Sequence, residues 1–384
     1  MVARDNLVAP QDPRRAKRTS RSNGLMAAWL LLIAVVAVVA AWLFANADDT
    51  RARWSRMTPS AVVALPTDVP SQWAKGDAAP TPAPAEPAPA PAPAQEPVAA
   101  APPPPAPPAP PNALSPAPDP ALVEAAPIGP LPKIALLPDG RERQPWQVYA
   151  RPFEAPETKP RVAVLLTGLG LSSAPTEAAI NKLPPEVTLS FSPYTEKLGE
   201  WLQAARAGGH EVLLDLPLEP ANFPQHDPGP YTLLSTLSPV ENDARLEWVL
   251  SRGVGYVGVV GEYGSKFSTS AKYLLPTFEV LKKRGLMFVD AKASADSVAG
   301  RVARDMGVPR AISDRVIDAE GGRAAIDAKL AEIERLARSS GQAVAFASPF
   351  PMTIDRLLAW LPTAAQKGIA IAPVSAVANR QKDQ

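Results

Sequence analysis

The sequence contains no cysteine and only two histidines in 384 residues. The absence of cysteine excludes a disulfide-stabilised scaffold, a thiol nucleophile and any metal site with cysteine ligands. With His210 and His226 as the only imidazoles, a three-histidine metal site is excluded as well. The formal net charge is +1 with 20% charged residues, so the chain as a whole has no strongly basic character. We therefore expect no nucleic-acid partner.

Proline, in contrast, is abundant, with 48 residues, many of them mixed with alanine between Pro80 and Pro120. Because proline fixes φ and lacks the backbone N–H, neither a helix nor a sheet can propagate through such a tract. Proline-rich segments favour the extended polyproline II conformation at about 3.1 Å per residue. The tract is therefore predicted to be a semi-rigid spacer within a disordered linker.

An apolar run of 21 uncharged residues covers 25–45. A helix of this length spans about 30 Å, which matches the hydrocarbon core of a bilayer. The preceding residues 1–24 are basic, which predicts a cytoplasmic N-terminus and an exported remainder. We expect a single-pass protein of the inner membrane with a periplasmic C-terminal domain. The alternative is a signal peptide, because Ala45-Asn46-Ala47 resembles a cleavage site.

These features divide the chain into five predicted segments. They are a basic cytoplasmic N-terminus (1–24), a transmembrane helix (25–45), a disordered Pro/Ala-rich linker (46–128), a pre-domain segment (129–160) and a β/α domain (161–378).

The C-terminal segment alternates short apolar runs with amphipathic stretches, which is typical of an α/β domain. The predicted strands are Val162–Leu166, Val187–Phe191, Val212–Asp215, Tyr256–Val260, Leu286–Asp290, Arg315–Asp318, Ala343–Ala347 and Ile369–Ala372. Because these runs are almost continuously apolar, they favour parallel pairing with both faces of the sheet covered. The sequence therefore predicts a closed or nearly closed (β/α) barrel of seven or eight parallel strands, with an open version of the sheet as the alternative.

Acidic residues follow or end several of the predicted strands. They are Asp215, Glu262, Asp290 and Asp318. In a barrel of this kind the reacting groups gather at the carboxyl ends of the strands. Carboxylates that converge on one rim repel one another unless a cation, an arginine or shared protons compensate, so the pattern suits a metal or a sugar. The alternative is that each acid only caps the following helix.

The two histidines do not complete such a site. His210 begins the strand that ends at Asp215, and five strand steps separate the two by about 16 Å. His210 is therefore predicted to have a hydrogen-bonded structural role at the opposite end of the barrel. His226 lies in the loop from Pro217 to Pro230, where it is either exposed to solvent or part of a lid.

Several short motifs occur in a characteristic order along this domain. They are Gly168-Leu169-Gly170, Gly209-His210-Glu211, Pro217-Leu218-Glu219-Pro220, Asp227-Pro228-Gly229-Pro230, Gly264-Ser265-Lys266-Phe267 and Pro373-Val374-Ser375. With this order and spacing the domain resembles the divergent polysaccharide deacetylase family, distant relatives of the NodB-type carbohydrate esterases. The resemblance implies a β/α barrel whose ligand is a cell-envelope polysaccharide. In metal-dependent relatives a divalent cation activates water against an acetyl carbonyl, assisted by a carboxylate base.

The departures from the family pattern concern the expected metal ligands. The aspartate pair after the first strand is Thr167-Gly168 here, and the three histidine positions are Asp215, Glu262 and Ser348. Asp290 and Asp318 persist, which makes them the candidate catalytic residues.

Two hypotheses follow. In the first, Asp215, Glu262 and Asp290 bind a hard divalent cation (Mn²⁺, Mg²⁺ or Ca²⁺). Metal-assisted hydrolysis of glycan acetyl groups would then use Glu219, Ser265 and Ser348 to bind the substrate. In the second, the domain is a catalytically inactive periplasmic binding or scaffold protein. Loss of the first-strand aspartates favours the second hypothesis.

Overall fold

Two small hairpins precede the main domain. The computed structural model describes residues 114–115, 117–156 and 158–381, together with Ala34. The antiparallel pairs are β1 (Val123–Ala126) with β2 (Gly129–Pro132), and β3 (Ala135–Leu136) with β4 (Glu142–Arg143); the short helix α1 (Pro145–Val148) follows. The first hairpin begins within the stretch assigned to the linker, so ordered structure starts before residue 129.

The predicted membrane-spanning segment and most of the Pro/Ala tract lie outside the described residues, apart from Ala34. Within the residues that the structure describes, no helix combines the length and the apolarity needed to cross a bilayer.

The main domain is one parallel sheet with helices between its strands. The strands are β5 (Arg161–Leu169), β6 (Thr188–Phe191), β7 (Val212–Pro217), β8 (Gly258–Glu262), β9 (Met287–Asp290), β10 (Arg310–Ile312), β11 (Arg315–Val316), β12 (Gln342–Ala347) and β13 (Ala370–Ala372). The helices are α2 (Ser173–Lys182), α3 (Leu198–Ala207), α4 (Pro239–Leu250), α5 (Ala271–Lys283), α6 (Ala299–Met306), α7 (Arg323–Ser340) and α8 (Pro351–Gln366). The strand order is β10-β9-β8-β7-β6-β5-β12-β11, and β13 pairs with the first residues of β5.

Every predicted strand occurs in this sheet, and the structure adds β10, which raises the number of strands to nine. The sheet is a parallel half-barrel whose hydrogen-bonded order begins at β10 and ends at β11. Only Ser313 and Asp314 connect these two edge strands, and their N–H groups bond to carbonyl oxygens of Asp290 and Val344, on β9 and β12. The predicted parallel, barrel-like sheet is therefore confirmed as a half-barrel, and its two edges are joined by this short connection rather than by a hydrogen-bonded strand pair.

The two faces of the sheet pack against different layers. On β5, Val162 and Val164 belong to the core between the sheet and the helices, whereas Ala163 and Leu165 face a separate inner core. Tyr149 of the pre-domain segment is buried in that inner core. Because strand side chains alternate between the faces, this division decides where each strand-end acid points.

The first turn of α4 shows how a local sequence starts one of these helices. The Ser238 hydroxyl accepts a hydrogen bond from the Glu241 N–H at 3.3 Å, and the Glu241 carboxylate accepts one from the Ser238 N–H at 2.8 Å. Pro239 occupies the first helical position, where its missing N–H costs nothing.

Candidate functional site

Asp215 and Glu262 lie near the carboxyl ends of two neighbouring strands. In the register of β7 and β8, Pro217 pairs with Glu262 and Asp215 with Val260. Alternation places Asp215 on the same face as Leu213, and Glu262 on the same face as Val260, and both of these apolar residues belong to the inner core. The sheet therefore brings two of the four predicted acids together on its inner face.

Both carboxyl oxygens of Asp215 have hydrogen-bond donors from other strands. The Ser190 hydroxyl on β6 donates to Oδ1 at 2.5 Å, and the Gly168 N–H on β5 donates to Oδ2 at 2.9 Å. Burial raises the pKa of Asp215 to about 6, and these two hydrogen bonds oppose the rise only in part. Asp215 is thus fixed in position by three adjacent strands.

Glu262 is less well satisfied. Its Oε1 atom is buried and has no hydrogen-bond partner. Burial, and then the charge of Asp215, raise the pKa of Glu262 to about 8, while a hydrogen bond with the Thr167 side chain lowers it. A carboxyl beside another carboxyl resists ionisation. In its protonated form it carries one O–H donor and keeps acceptor capacity, so it can exchange hydrogen bonds with a ligand.

Tyr263 follows Glu262 directly, and sequence reasoning missed it. Its side chain is 45% exposed, and its backbone has a φ of 64°, which is rare for a bulky residue. Burial, followed by the charges of Glu262 and Asp215, raises the pKa of Tyr263. The ring centroid lies 5.2 Å from that of His226, so the loop after β7 reaches this place. The sequence signal that could have identified Tyr263 is the presence of an aromatic residue directly after an acid at the end of a strand.

We call the group formed by Thr167, Ser190, Asp215, Glu262 and Tyr263 the acid-pair site. Its members come from β5, β6, β7 and β8 and from the residue that follows β8.

Asp290 does not join this group. It lies on the same face of β9 as Phe288, which packs against the helices, whereas Val289 faces the inner core. Its carboxyl oxygens accept hydrogen bonds from the Lys292 N–H and the Ser297 hydroxyl, both at 2.8 Å. Burial raises the pKa of Asp290, and the two hydrogen bonds oppose that rise. The predicted trio of Asp215, Glu262 and Asp290 is therefore not assembled, because strand alternation turns Asp290 to the helix side.

Asp318 and Ser348 meet each other at the far edge of the sheet. Oδ2 of Asp318 accepts hydrogen bonds from the Ser348 N–H at 2.8 Å and from the Thr353 hydroxyl at 2.9 Å. Its Oδ1 atom is buried and without a partner. Four strands separate β8 from β11 in the sheet order. Asp318 thus binds the residue after β12 and the first turn of α8.

Glu219 and Ser265, for which substrate binding stays a prediction, join the loops after β7 and β8. The Glu219 carboxylate accepts a hydrogen bond from the Ser235 N–H at 2.6 Å and pairs with Lys266 at 2.8 Å. Burial favours a high pKa for Glu219, but the bonds from Lys266 and Ser235 hold it below its usual value. The Ser265 hydroxyl accepts a hydrogen bond from the Ala221 N–H at 2.9 Å. These contacts fix the loops that border the acid-pair site.

His210 has the structural surroundings predicted for it. It is fully buried, with Nδ1 2.8 Å from the Val187 carbonyl oxygen and Nε2 3.1 Å from that of Ile180.

The donor set does not fit the divalent cation that the resemblance implies. In the part of the chain that the structure describes, no three His, Cys, Asp or Glu side chains are grouped as metal ligands. Asp215 and Glu262 supply two carboxyls, and both oxygens of Asp215 already accept hydrogen bonds. Ca²⁺ takes six to eight oxygen ligands, and even Mg²⁺, which keeps several waters, needs carboxylate oxygens that are free to coordinate it. Of the carboxyl oxygens at this site, only Oε1 of Glu262 lacks a hydrogen-bond partner. The arrangement suits a hydrogen-bond donor better.

Comparison with known proteins identifies related chains. A family model described as divergent polysaccharide deacetylase matches residues 164–378, more than half of the chain. The crystal structure of the uncharacterized protein ATU2773 from Agrobacterium tumefaciens C58 is similar at 39% identity, with a TM-score of 0.62. The match covers 65% of this chain and 99% of that one.

Two curated proteins are more distant relatives. An uncharacterized protein from Haemophilus influenzae is 24% identical over 185 residues, 48% of this chain and 65% of that protein. The uncharacterized protein YibQ from Escherichia coli K12 is 23% identical over 207 residues, 53% of this chain and 62% of that protein. The matched region thus spans slightly less than two thirds of each curated relative.

Proposed function

The chain belongs to the divergent polysaccharide deacetylase family, and from that premise we propose that its half-barrel domain binds cell-envelope carbohydrate at the acid-pair site. We further propose that it does so without metal-assisted removal of acetyl groups.

The observation that carries this proposal is the pairing of Asp215 with Glu262 on the inner face. Carboxyl groups accept hydrogen bonds from sugar hydroxyls, and the buried Oε1 of Glu262 has no donor from the protein. Apolar side chains border the same ends of the strands, with Leu171 after β5, Tyr263 after β8 and Phe350 after β12 all exposed. A few fixed polar groups beside apolar surface are typical of a ligand site.

The residues that replace the family's first-strand aspartates support binding rather than hydrolysis. Thr167 and Gly168 stand at those positions, and neither side chain can act as a carboxylate base. Both instead support the acid pair: the Gly168 N–H bonds to Asp215, and the Thr167 side chain bonds to Glu262. Of the two candidate catalytic residues, Asp290 lies on the other face of the sheet, and Asp318 follows β11, which four strands separate from β8 in the sheet order.

The proposal is tested by measuring binding and catalysis on the same preparation. The full-length chain is sedimented with purified envelope polysaccharide, and acetate release is followed with Mn²⁺, Mg²⁺, Ca²⁺ or Zn²⁺ added. We expect wild-type protein to sediment with the glycan and Glu262→Gln to sediment less, with acetate release at background in both. Metal-dependent acetate release by wild type that Asp215→Asn abolishes would replace the binding function with a deacetylase.

The location of the domain is a separate part of the proposal. We propose that residues 25–45 anchor the chain in the inner membrane and that the domain lies in the periplasm, joined by the Pro/Ala-rich linker. The support is the uncharged run of 21 residues after a basic N-terminus. Cell fractionation with sizing of the mature chain tests it. Full-length protein in the membrane fraction supports the anchor, whereas a shortened soluble chain would support cleavage near Ala47.

A further inference from the structure

At the acid-pair site, the carboxyl oxygens outnumber the hydrogen-bond donors that the protein supplies to them. Ser190 and Gly168 each give one donor to Asp215, and Thr167 contributes one hydrogen bond to Glu262. Oε1 of Glu262 receives none, although it is buried. A buried acceptor without a partner is costly, so a ligand that brings a donor to this atom recovers that cost.

Among the described residues, no lysine, arginine or histidine donates a hydrogen bond to either acid of the pair. Asp215 accepts from Ser190 and Gly168, and Glu262 bonds with the Thr167 side chain. The His226 imidazole lies against Tyr263 at the border of the site, with 5.2 Å between the ring centroids. Neighbouring carboxyls that lack a cation favour a cationic ligand, because a positive charge within a few ångströms stabilises their ionised form.

Tyr263 adds a surface suited to such a ligand. Its ring is 45% exposed and lies within the electrostatic influence of both acids. The face of an aromatic ring attracts an ammonium group, and it also provides apolar surface for the ring carbons of a sugar.

We propose that the acid-pair site selects a glycan with free amino groups, an amino sugar whose ammonium group donates to Oε1 of Glu262 beside the Tyr263 ring. This inference rests on the proposed carbohydrate-binding function and specifies its ligand class.

An acetylated amino sugar fits the same site less well. An ammonium group has three donors and no acceptor, so each of its hydrogens can meet a carboxyl oxygen. An acetamido group keeps one N–H donor but adds a carbonyl acceptor and a methyl group. Beside two carboxyls, the carbonyl oxygen of the acetamido group is repelled by the carboxyl oxygens and gives them no hydrogen-bond donor. This unfavourable contact allows the site to discriminate against the acetylated sugar.

The test compares two tetrasaccharides that differ only in acetylation, β-1,4-linked glucosamine and β-1,4-linked N-acetylglucosamine. Calorimetric titration of the full-length chain in detergent, at about pH 6 with EDTA, keeps the amine protonated and removes divalent metals. We expect the amino tetramer to bind at least about 10-fold more tightly, as for one charge-assisted hydrogen bond.

Glu262→Gln should bring the ratio of the two affinities close to one. Tyr263→Ala should weaken binding of the amino tetramer, and Tyr263→Phe should retain it.

Asp290→Asn is the matched control, because Asp290 ends the neighbouring strand but lies on the opposite face. It should leave the affinity ratio unchanged, and thermal unfolding of each variant shows whether it is folded. Equal affinity of wild type for both tetramers overturns the inference but leaves the proposed function standing. No binding of either tetramer or of envelope polysaccharide overturns both. A preference that appears only when Mn²⁺ replaces EDTA would assign the selectivity to a bound metal and overturn the inference.

Discussion

The backbone N–H of Gly168 donates a 2.9 Å hydrogen bond to Oδ2 of Asp215, although β6 lies between their strands. Gly168 has a φ of 76°, a conformation that most other residues avoid. The glycine thus turns its N–H toward an acid in a part of the fold where the family pattern has an aspartate. At a position where the family pattern has an aspartate associated with metal binding, this chain has a glycine whose N–H stabilises the carboxyl group of Asp215.

Gly168→Ala should therefore disturb the acid-pair site through the backbone alone. A Cβ atom at this position meets nothing within 4 Å, so the cost is the left-handed conformation, about 1–2 kcal/mol. Denaturant unfolding measures that loss, and titration with the amino tetramer should show weaker binding. Gly140→Ala is the control, since Gly140 has a φ of 79° and equal space, but lies in the pre-domain segment. If both variants bind like wild type, Gly168 does not position Asp215.

The raised pKa of Glu262 predicts a pH dependence of stability. Its value rises from 4.5 to about 8, so the folded chain holds this proton more tightly than the unfolded chain. The stabilising effect is complete below the unfolded pKa and is lost as pH rises toward about 8. We expect the free energy of unfolding to fall by on the order of 5 kcal/mol across this window. Chemical denaturation at several pH values measures it.

Glu262→Gln should remove most of that decrease, because glutamine does not ionise. Glu241→Gln provides the comparison. The hydrogen bonds from Ser238 hold the pKa of Glu241 below its usual value, so its contribution is lost only at more acidic pH. A Glu262→Gln variant with the same pH profile as wild type would show that Glu262 titrates normally in the folded protein.

The positions of the strands could be predicted because each is a short apolar run between polar stretches. All eight predicted strands are present, and in the main sheet only β10, three residues long, was not anticipated. The face on which a strand-end acid lies could not be predicted. Strands that are buried on both faces, such as β9 with Met287 and Phe288, give no sequence signal that separates the inner face from the helix side.

The loop contacts of Glu219 and Ser265 could not be predicted for a different reason. Each residue forms a hydrogen bond with a partner that is more than 40 residues away in the sequence. Lys266 lies 47 positions from Glu219, and Ala221 lies 44 positions from Ser265. Loop-to-loop contacts of this kind depend on how two strands are placed side by side, which local patterns do not encode. The acid pair was within reach of prediction because both members stand at the ends of adjacent strands.

Asp290 should be a structural residue in spite of its resemblance to a catalytic one. Asp290→Ala leaves the Lys292 N–H and the Ser297 hydroxyl without their acceptor, at a cost of about 1–3 kcal/mol. The midpoint of thermal unfolding should fall, while affinity for the glycan stays at the wild-type value. Loss of binding by a variant that still unfolds cooperatively would return Asp290 to the ligand site.

The motif residues Glu211 and Ser375 join the start of β7 to the end of the domain. The buried Glu211 carboxylate accepts hydrogen bonds from the Ser375 N–H at 3.0 Å and from the Ser375 hydroxyl.

Ser375→Ala removes the hydroxyl donor from a buried acid and should lower the free energy of unfolding by about 1.5–3 kcal/mol. Ser339→Ala, which removes an exposed hydroxyl on α7, should change it by no more than about 0.5 kcal/mol. Because Glu211 immediately precedes β7 whereas Asp215 lies near the other end of that strand, both variants should bind the glycan like wild type. Weaker binding by Ser375→Ala at unchanged stability would mean that this motif serves the ligand rather than the fold.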